Sequence, residues 1–170
     1  MTLCTVDRKA LLIERGKVFR FGSGSKTLST AVDMKLGITT GAIEVVTTDR
    51  LYSGNTPQMT VALYQVPFTG GSPAGFANRR LGLGGTPPMT MDVGVTATLG
   101  VPLLQAVLRA ATSSGNSNAS FPGEQAAFIL DAETDYVLSI RNDAADTRIV
   151  EFQMDVHALS ALAVFNVLDF

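Results

Sequence analysis

The feature that constrains this chain most is the alternation of apolar and polar residues in short runs bounded by Gly, Pro, Asn, Asp and Ser. Successive side chains of an extended segment point to opposite faces, so such a run buries one face and wets the other, a pattern of period two that a helix cannot use. The clearest run is Ile149 to Ala158, where Val150, Phe152, Met154, Val156 and Ala158 share one face and Glu151, Gln153, Asp155 and His157 the other. Just upstream, Tyr136, Leu138 and Ile140 alternate with Val137, Ser139 and Arg141. The polar stretch Asn142 to Thr147 joins the two runs, which together read as an antiparallel hairpin with a loop of about six residues.

Four further runs read as strands: Lys17 to Phe21, Ala42 to Thr48, Met59 to Val66 and Met89 to Thr98. Pro67, which cannot donate to a ladder, closes the third of them. None is joined to the next by a convincing crossover helix, so the pattern predicts an all-β, antiparallel β-sandwich over an α/β sheet. Leu103 to Ala111 fits both a helical stripe behind Pro102 and a strand, and its context favours the strand. Asp7 to Arg15 holds good helix formers and reads as a short helix or an extended arm. Three parts result: an N-terminal arm or short helix over 1–15, a sandwich domain over 16–158, and an apolar C-terminal strand or docking tail over 159–170.

Length and charge narrow the function classes. A chain of 170 residues buries enough surface for one domain without metal or disulfide support. Its net charge of -2 supplies no global positive field to hold a polyphosphate backbone, so no nucleic-acid partner is expected. A single cysteine, Cys4, excludes an internal disulfide and any multi-cysteine metal site, and no basic start with an apolar stretch marks a secretory signal. Synthesis in a reducing cytoplasm fits. No run reaches the roughly eighteen apolar residues that span a bilayer, so no membrane partner is expected.

The motifs that could carry chemistry fail on spacing. Gly22-Ser23-Gly24-Ser25-Lys26-Thr27 ends in Lys-Thr after glycines, but Ser25 and Arg20 stand where a phosphate-binding loop needs glycine, and the stretch reads as a flexible turn. Gly82-Leu83-Gly84-Gly85 is followed by Thr86-Pro87-Pro88 and not by the helix that would hold a pyrophosphate. A Ser-His-acid triad would have to use the sole histidine, His157, placed mid-strand on the polar face. No cofactor and no enzyme activity are expected. Asp131, Glu133 and Asp135 alternate, so an extended backbone there would put three carboxylates on one face, either as a calcium site of oxygen ligands or as solvated charges entering a strand.

Three features read as partner contacts, one of them the N-terminal residues before Gly16. Asn78, Arg79 and Arg80 place two cations in a long loop, and arginine, with its fork of donors, is favoured in protein interfaces. At the C-terminus, Leu162, Val164, Phe165, Val167, Leu168 and Phe170 carry much apolar area that must be covered, either by the domain itself as a final core strand or by a neighbouring subunit.

The order of segments resembles a family of small virion proteins of tailed bacteriophages, the capsid decoration or cement type, with a jelly-roll-like sandwich. The likeness is carried by Gly16-Lys17-Val18-Phe19-Arg20-Phe21, then Leu36-Gly37-Ile38-Thr39-Thr40-Gly41-Ala42, then Val61-Ala62-Leu63-Tyr64 with Thr69-Gly70-Gly71-Ser72-Pro73 and Asn78-Arg79-Arg80. It closes with Thr134 to Asp143 and the last alternating run, covering about residues 16 to 158. The resemblance implies a non-enzymatic protein on the capsid surface of the virion that binds the major capsid protein and forms a homo-oligomer, dimer or trimer. The chain departs from the pattern by continuing past His157 with the apolar segment Leu159 to Phe170. The rival expectation is a carbohydrate- or receptor-binding module of a virion tail or fibre, which the same sandwich can host. No Trp and only Tyr52, Tyr64 and Tyr136 make stacking platforms for sugars scarce.

Overall fold

A computed structural model describes residues 8–53, 58–80, 82–108 and 127–159. One helix, α1 (Arg8–Glu14), precedes eleven strands: β1 (Phe19–Leu28), β2 (Asp33–Thr40), β3 (Val45–Ser53), β4 (Met59–Tyr64), β5 (Ser72–Pro73), β6 (Gly75–Asn78), β7 (Met89–Val93), β8 (Leu104–Leu108), β9 (Ala127–Leu130), β10 (Asp135–Asn142) and β11 (Arg148–Ala158). They form a five-stranded sheet in the order β6-β1-β11-β3-β9 and a six-stranded sheet in the order β5-β7-β2-β10-β4-β8, antiparallel throughout. The two sheets pack face to face as the expected all-β sandwich.

The strand order has a simple logic. Without the short excursion β5 to β7, the first sheet reads β1-β11-β3-β9 and the second β2-β10-β4-β8. Early strands therefore pair with late ones in nested fashion, β1 with β11, β2 with β10, β3 with β9 and β4 with β8, as in a long hairpin rolled onto itself. That is the jelly-roll order. The excursion adds β6 beside β1 in one sheet and β7, with β5 beyond it, beside β2 in the other, so a single insertion lines the same margin of both layers.

Between the layers lie Phe21, Leu36, Ile38, Met59, Met91, Leu138, Ile140 and Phe152, all fully buried. Each stabilises the fold by about 1.5–3 kcal/mol through removal of apolar area from water. Strand β2 shows why alternation matters: Met34, Leu36, Ile38 and Thr40 are buried while Thr39 between them is exposed. At another outward position Gly37 lets the Phe68 ring lie close over the sheet, since a Cβ there would stand 2.5 Å from Phe68 Cε2.

The structure corrects several expectations. The runs on either side of Asn142 to Thr147 do not pair with each other: β10 lies in the second sheet between β2 and β4, and β11 in the first between β1 and β3. The loop is a corner between layers. The buried Asn142 holds it, donating from Nδ2 to Leu28 O and Asp146 O at 2.9 Å and accepting the Ala144 N–H at Oδ1. The stretch Gly22 to Thr27 is not a free turn but a bulged continuation of β1, whose register against β11 shifts between Gly22 and Ser25. Gly24 takes a φ of +64° there, and the Ser23 hydroxyl accepts the Phe152 N–H at 3.0 Å, replacing the ladder bond that the bulge removes. The Met89 run ends at Val93, before Gly94 at φ +79°. The ambiguous Leu103 to Ala111 segment contains strand β8, and α1 answers the question at the N-terminus in favour of a helix.

Candidate functional site

The residues with the most concentrated chemistry meet where α1, the start of β1 and the end of β6 come together. The helix stops in a Schellman arrangement: Lys17 N–H donates to Leu12 O at 3.0 Å and Gly16 N–H to Ile13 O at 2.9 Å. Gly16 provides the left-handed conformation, φ +65°, that this stop requires. From β6, Asn78 Nδ2 donates to Gly16 O at 2.9 Å, Arg79 N–H donates to Val18 O at 2.9 Å, and the Arg80 guanidinium donates to Glu14 O. Helix and strand end are thereby tied into one corner, with Leu12 and Val18 buried outside the main core.

At its centre is a carboxylate that the alternation assigns to the wet face of β11. Asp155 is only 4% exposed. Its neighbour across the ladder, Arg20 on β1, donates from Nε to Oδ1 at 2.7 Å and from Nη2 to Oδ2 at 3.1 Å, and Arg79 donates from Nη1 to Oδ2 at 2.8 Å. Burial is tolerated because the charge is paired and hydrogen-bonded on both oxygens. Beside this triad opens a cleft of about 550 Å³ lined by Leu11, Ile13, Glu14, Arg15, Arg79 and Arg80. A lining of three arginines and one glutamate, with two apolar side chains alongside, suits a carboxylate-bearing protein segment.

Of the residues expected to meet a partner, Asn78, Arg79 and Arg80 are brought together here, at the end of a strand and not in a free loop. All three have internal bonds, Asn78 and Arg79 half-buried and Arg80 exposed. Leu162, Val164, Phe165, Val167, Leu168 and Phe170 lie outside the described residues. Asp131, Glu133 and Asp135 do not share a strand face. Asp131 to Thr134 is a turn, with Glu133 at φ +51° and only Asp135 entering β10, because Thr40 ties the segment back through Asp131 O at 2.6 Å and the Thr134 N–H at 2.9 Å. Among the described residues no three His, Cys, Asp or Glu gather to hold a metal ion. A residue that the sequence did not flag is Arg20, whereas Leu11 and Ile13 belong to the N-terminal residues before Gly16 that were expected to meet a partner. The signal for Arg20 was its place opposite Asp155, visible only once the β1 and β11 register is known.

Two other surfaces stand out. At the margin lined by the excursion, an apolar slot of about 240 Å³ is walled by Phe21, Phe76, Pro87, Met89 and Met91 among others, with Phe76 53% exposed and its ring 5.7 Å from that of Phe21. At the opposite margin, Leu103, Val107 and Ile129 are exposed on or beside the edge strands β8 and β9. No helix among the described residues is long and apolar enough to cross a membrane. Compared with known proteins, the chain matches no family model, no curated protein and no solved structure.

Proposed function

We propose that this chain is a non-enzymatic structural protein of a virion, a cement or decoration protein that binds the outer surface of a phage capsid and stabilises contacts between major capsid subunits. The observation that carries this reading is the jelly-roll strand order combined with apolar side chains left exposed at both margins of the sandwich. Jelly rolls recur in viral shells and lectins, so the fold raises the expectation by analogy, and the exposed apolar margins add the surface from which subunit contacts are made. The order of segments that resembles the decoration family points the same way.

The mechanism is mass action. A protein that binds the assembled shell and not its separated subunits shifts the equilibrium against rupture in proportion to its occupancy. Quantitative mass spectrometry of purified virions tests the reading: a copy number in step with the major capsid protein supports cement. A count matching only the few positions of a tail or fibre moves the protein to the receptor-binding alternative, and absence from virions overturns both.

A further inference from the structure

The charges of this chain are unevenly placed. Seven of its thirteen Lys and Arg fall within residues 8–20 and 79–80, among which Arg20 and Arg79 pair with the buried Asp155. Residues 127–140 hold Asp131, Glu133 and Asp135 and no cation, and Glu44 joins them: Glu133 N–H donates to Gly41 O at 2.8 Å and Leu159 N–H to Glu44 O at 2.8 Å. Both concentrations lie at one end of the sandwich. The start of β1 pairs with the end of β11, Phe19 opposite Val156, and the acidic turn folds against the loop between β2 and β3 at the point where β11 finishes.

They are on opposite sides of that end. The cationic cleft belongs to β6 and β1, the acidic turn leaves β9, and β11 and β3 lie between. Four strand spacings amount to roughly 19 Å, too far for the two patches to neutralise each other within one molecule when the screening length is about 8 Å. A second copy placed end to end about a two-fold axis brings each cleft onto the other's turn, satisfying both contacts at once, as an isologous interface requires.

We propose that the cleft lined by Arg79, Arg80 and Arg15 receives the Asp131 to Asp135 turn of a second copy of this chain, forming an electrostatic end-to-end dimer. This rests on the homo-oligomer that the resemblance implies and deepens it by naming the contact. Because the test uses the full chain without capsids, its failure leaves the virion copy-number result standing.

The test is sedimentation equilibrium of the wild type, of Arg80→Glu and of Glu133→Lys, at low and at high salt. Both substituted side chains are exposed, and circular dichroism checks that each variant is folded. The wild type is expected to dimerise at low salt and to weaken at least about tenfold at high salt, and each reversal to weaken dimerisation by at least about tenfold. Mixing the two variants is expected to restore a dimer within about threefold of wild type, because one native contact and one inverted contact are then both attractive. A monomeric wild type at low salt, association indifferent to salt, or variants that fail to complement on mixing would each overturn the proposal. Should Arg80→Glu not fold, Lys17→Glu, exposed on the same corner, takes its place in the same mixture.

Discussion

Two groups of carboxylates in this chain have opposite fates. Asp155 sits on a face whose neighbours are half wet, yet it is buried and clamped by two guanidiniums, while Asp131 and Glu133 are exposed on a turn. The difference is set by what stands beside each. The sheet places β1 and the end of β6 on one side of Asp155, so Arg20 and Arg79 reach it from neighbouring strands and cover it. The turn has no such cover, and its backbone, held by Thr40, spreads its acids instead of stacking them. A carboxylate becomes structural here when neighbouring strands supply its counter-charge, and otherwise is left for a partner.

The largest test of that contrast is Asp155→Ala. Removing one partner of a buried pair commonly costs 3–5 kcal/mol, but Arg20 and Arg79 keep 32% and 29% of their side-chain surface in water and recover part of their hydration. We expect a loss of about 3 kcal/mol, a fall in Tm of roughly 6–12 °C for a chain of this size. Glu151→Ala on the same strand, half-buried, should move Tm by a few degrees at most. Equal effects of the two would erase the distinction between clamped and solvated acids.

The division of labour between the two arginines comes next in size. Arg20 makes two bonds to Asp155 and Arg79 one, so Arg20→Ala should cost about 1.5 kcal/mol and Arg79→Ala about 1 kcal/mol in urea unfolding. Together they remove the three guanidinium bonds from the buried carboxylate, and the double variant should lose at least about 0.5 kcal/mol more than the sum. Simple additivity would show that the two arginines act on the carboxylate independently.

This same triad marks the limit of what the residues alone disclose. Alternation in β10, β11 and β4 is plain in the sequence because each strand buries at least one full face against the other layer, and period two follows directly from that burial. Strand β2 carried the same signal in Met34, Leu36, Ile38 and Thr40, but Gly37 at a position between them weakened it. Which strands pair could not be read, since β10 and β11 are neighbours in sequence and lie in different layers. The burial of Asp155 depends on that pairing and on Arg79, seventy-six residues away, so no local pattern contains it. For the corner, Asn78, Arg79 and Arg80 were visible as a cationic cluster, whereas their attachment to α1 through Gly16 and Glu14 was not.

On the acidic side, Tyr136 anchors the turn, its hydroxyl accepting the Asp131 N–H at 3.0 Å. Tyr136→Phe should lose about 1 kcal/mol at neutral pH by urea unfolding, the worth of one hydrogen bond to a backbone that water can partly re-solvate. Burial raises the Tyr136 pKa above its ordinary 10.0, with the backbone bond to Asp131 acting in the opposite sense. A raised value means that the unfolded chain releases this proton first. The stability Tyr136 contributes is therefore intact below pH 10 and lost as pH climbs through its folded value. The wild type should lose stability more steeply than Tyr136→Phe above that pH, and parallel curves would show that the phenol is not buried.

The smallest expected effect is a gain. Glu133 holds φ +51°, a left-handed conformation that costs a residue with a Cβ roughly 1 kcal/mol and glycine almost nothing. Glu133→Gly relieves that strain, but gives back part of the benefit through the greater freedom of glycine in the unfolded chain. The net should be a stabilisation of about 0.5 kcal/mol, a rise in Tm of roughly 1–2 °C. The same change deletes a charge from the turn, so it should weaken end-to-end dimerisation while strengthening the fold. Opposite signs in calorimetry and sedimentation would separate the two roles of a residue that the fold tolerates at a cost. Losses in both would mean that Glu133 supports the turn itself, placing it with Asp155 among the structural acids.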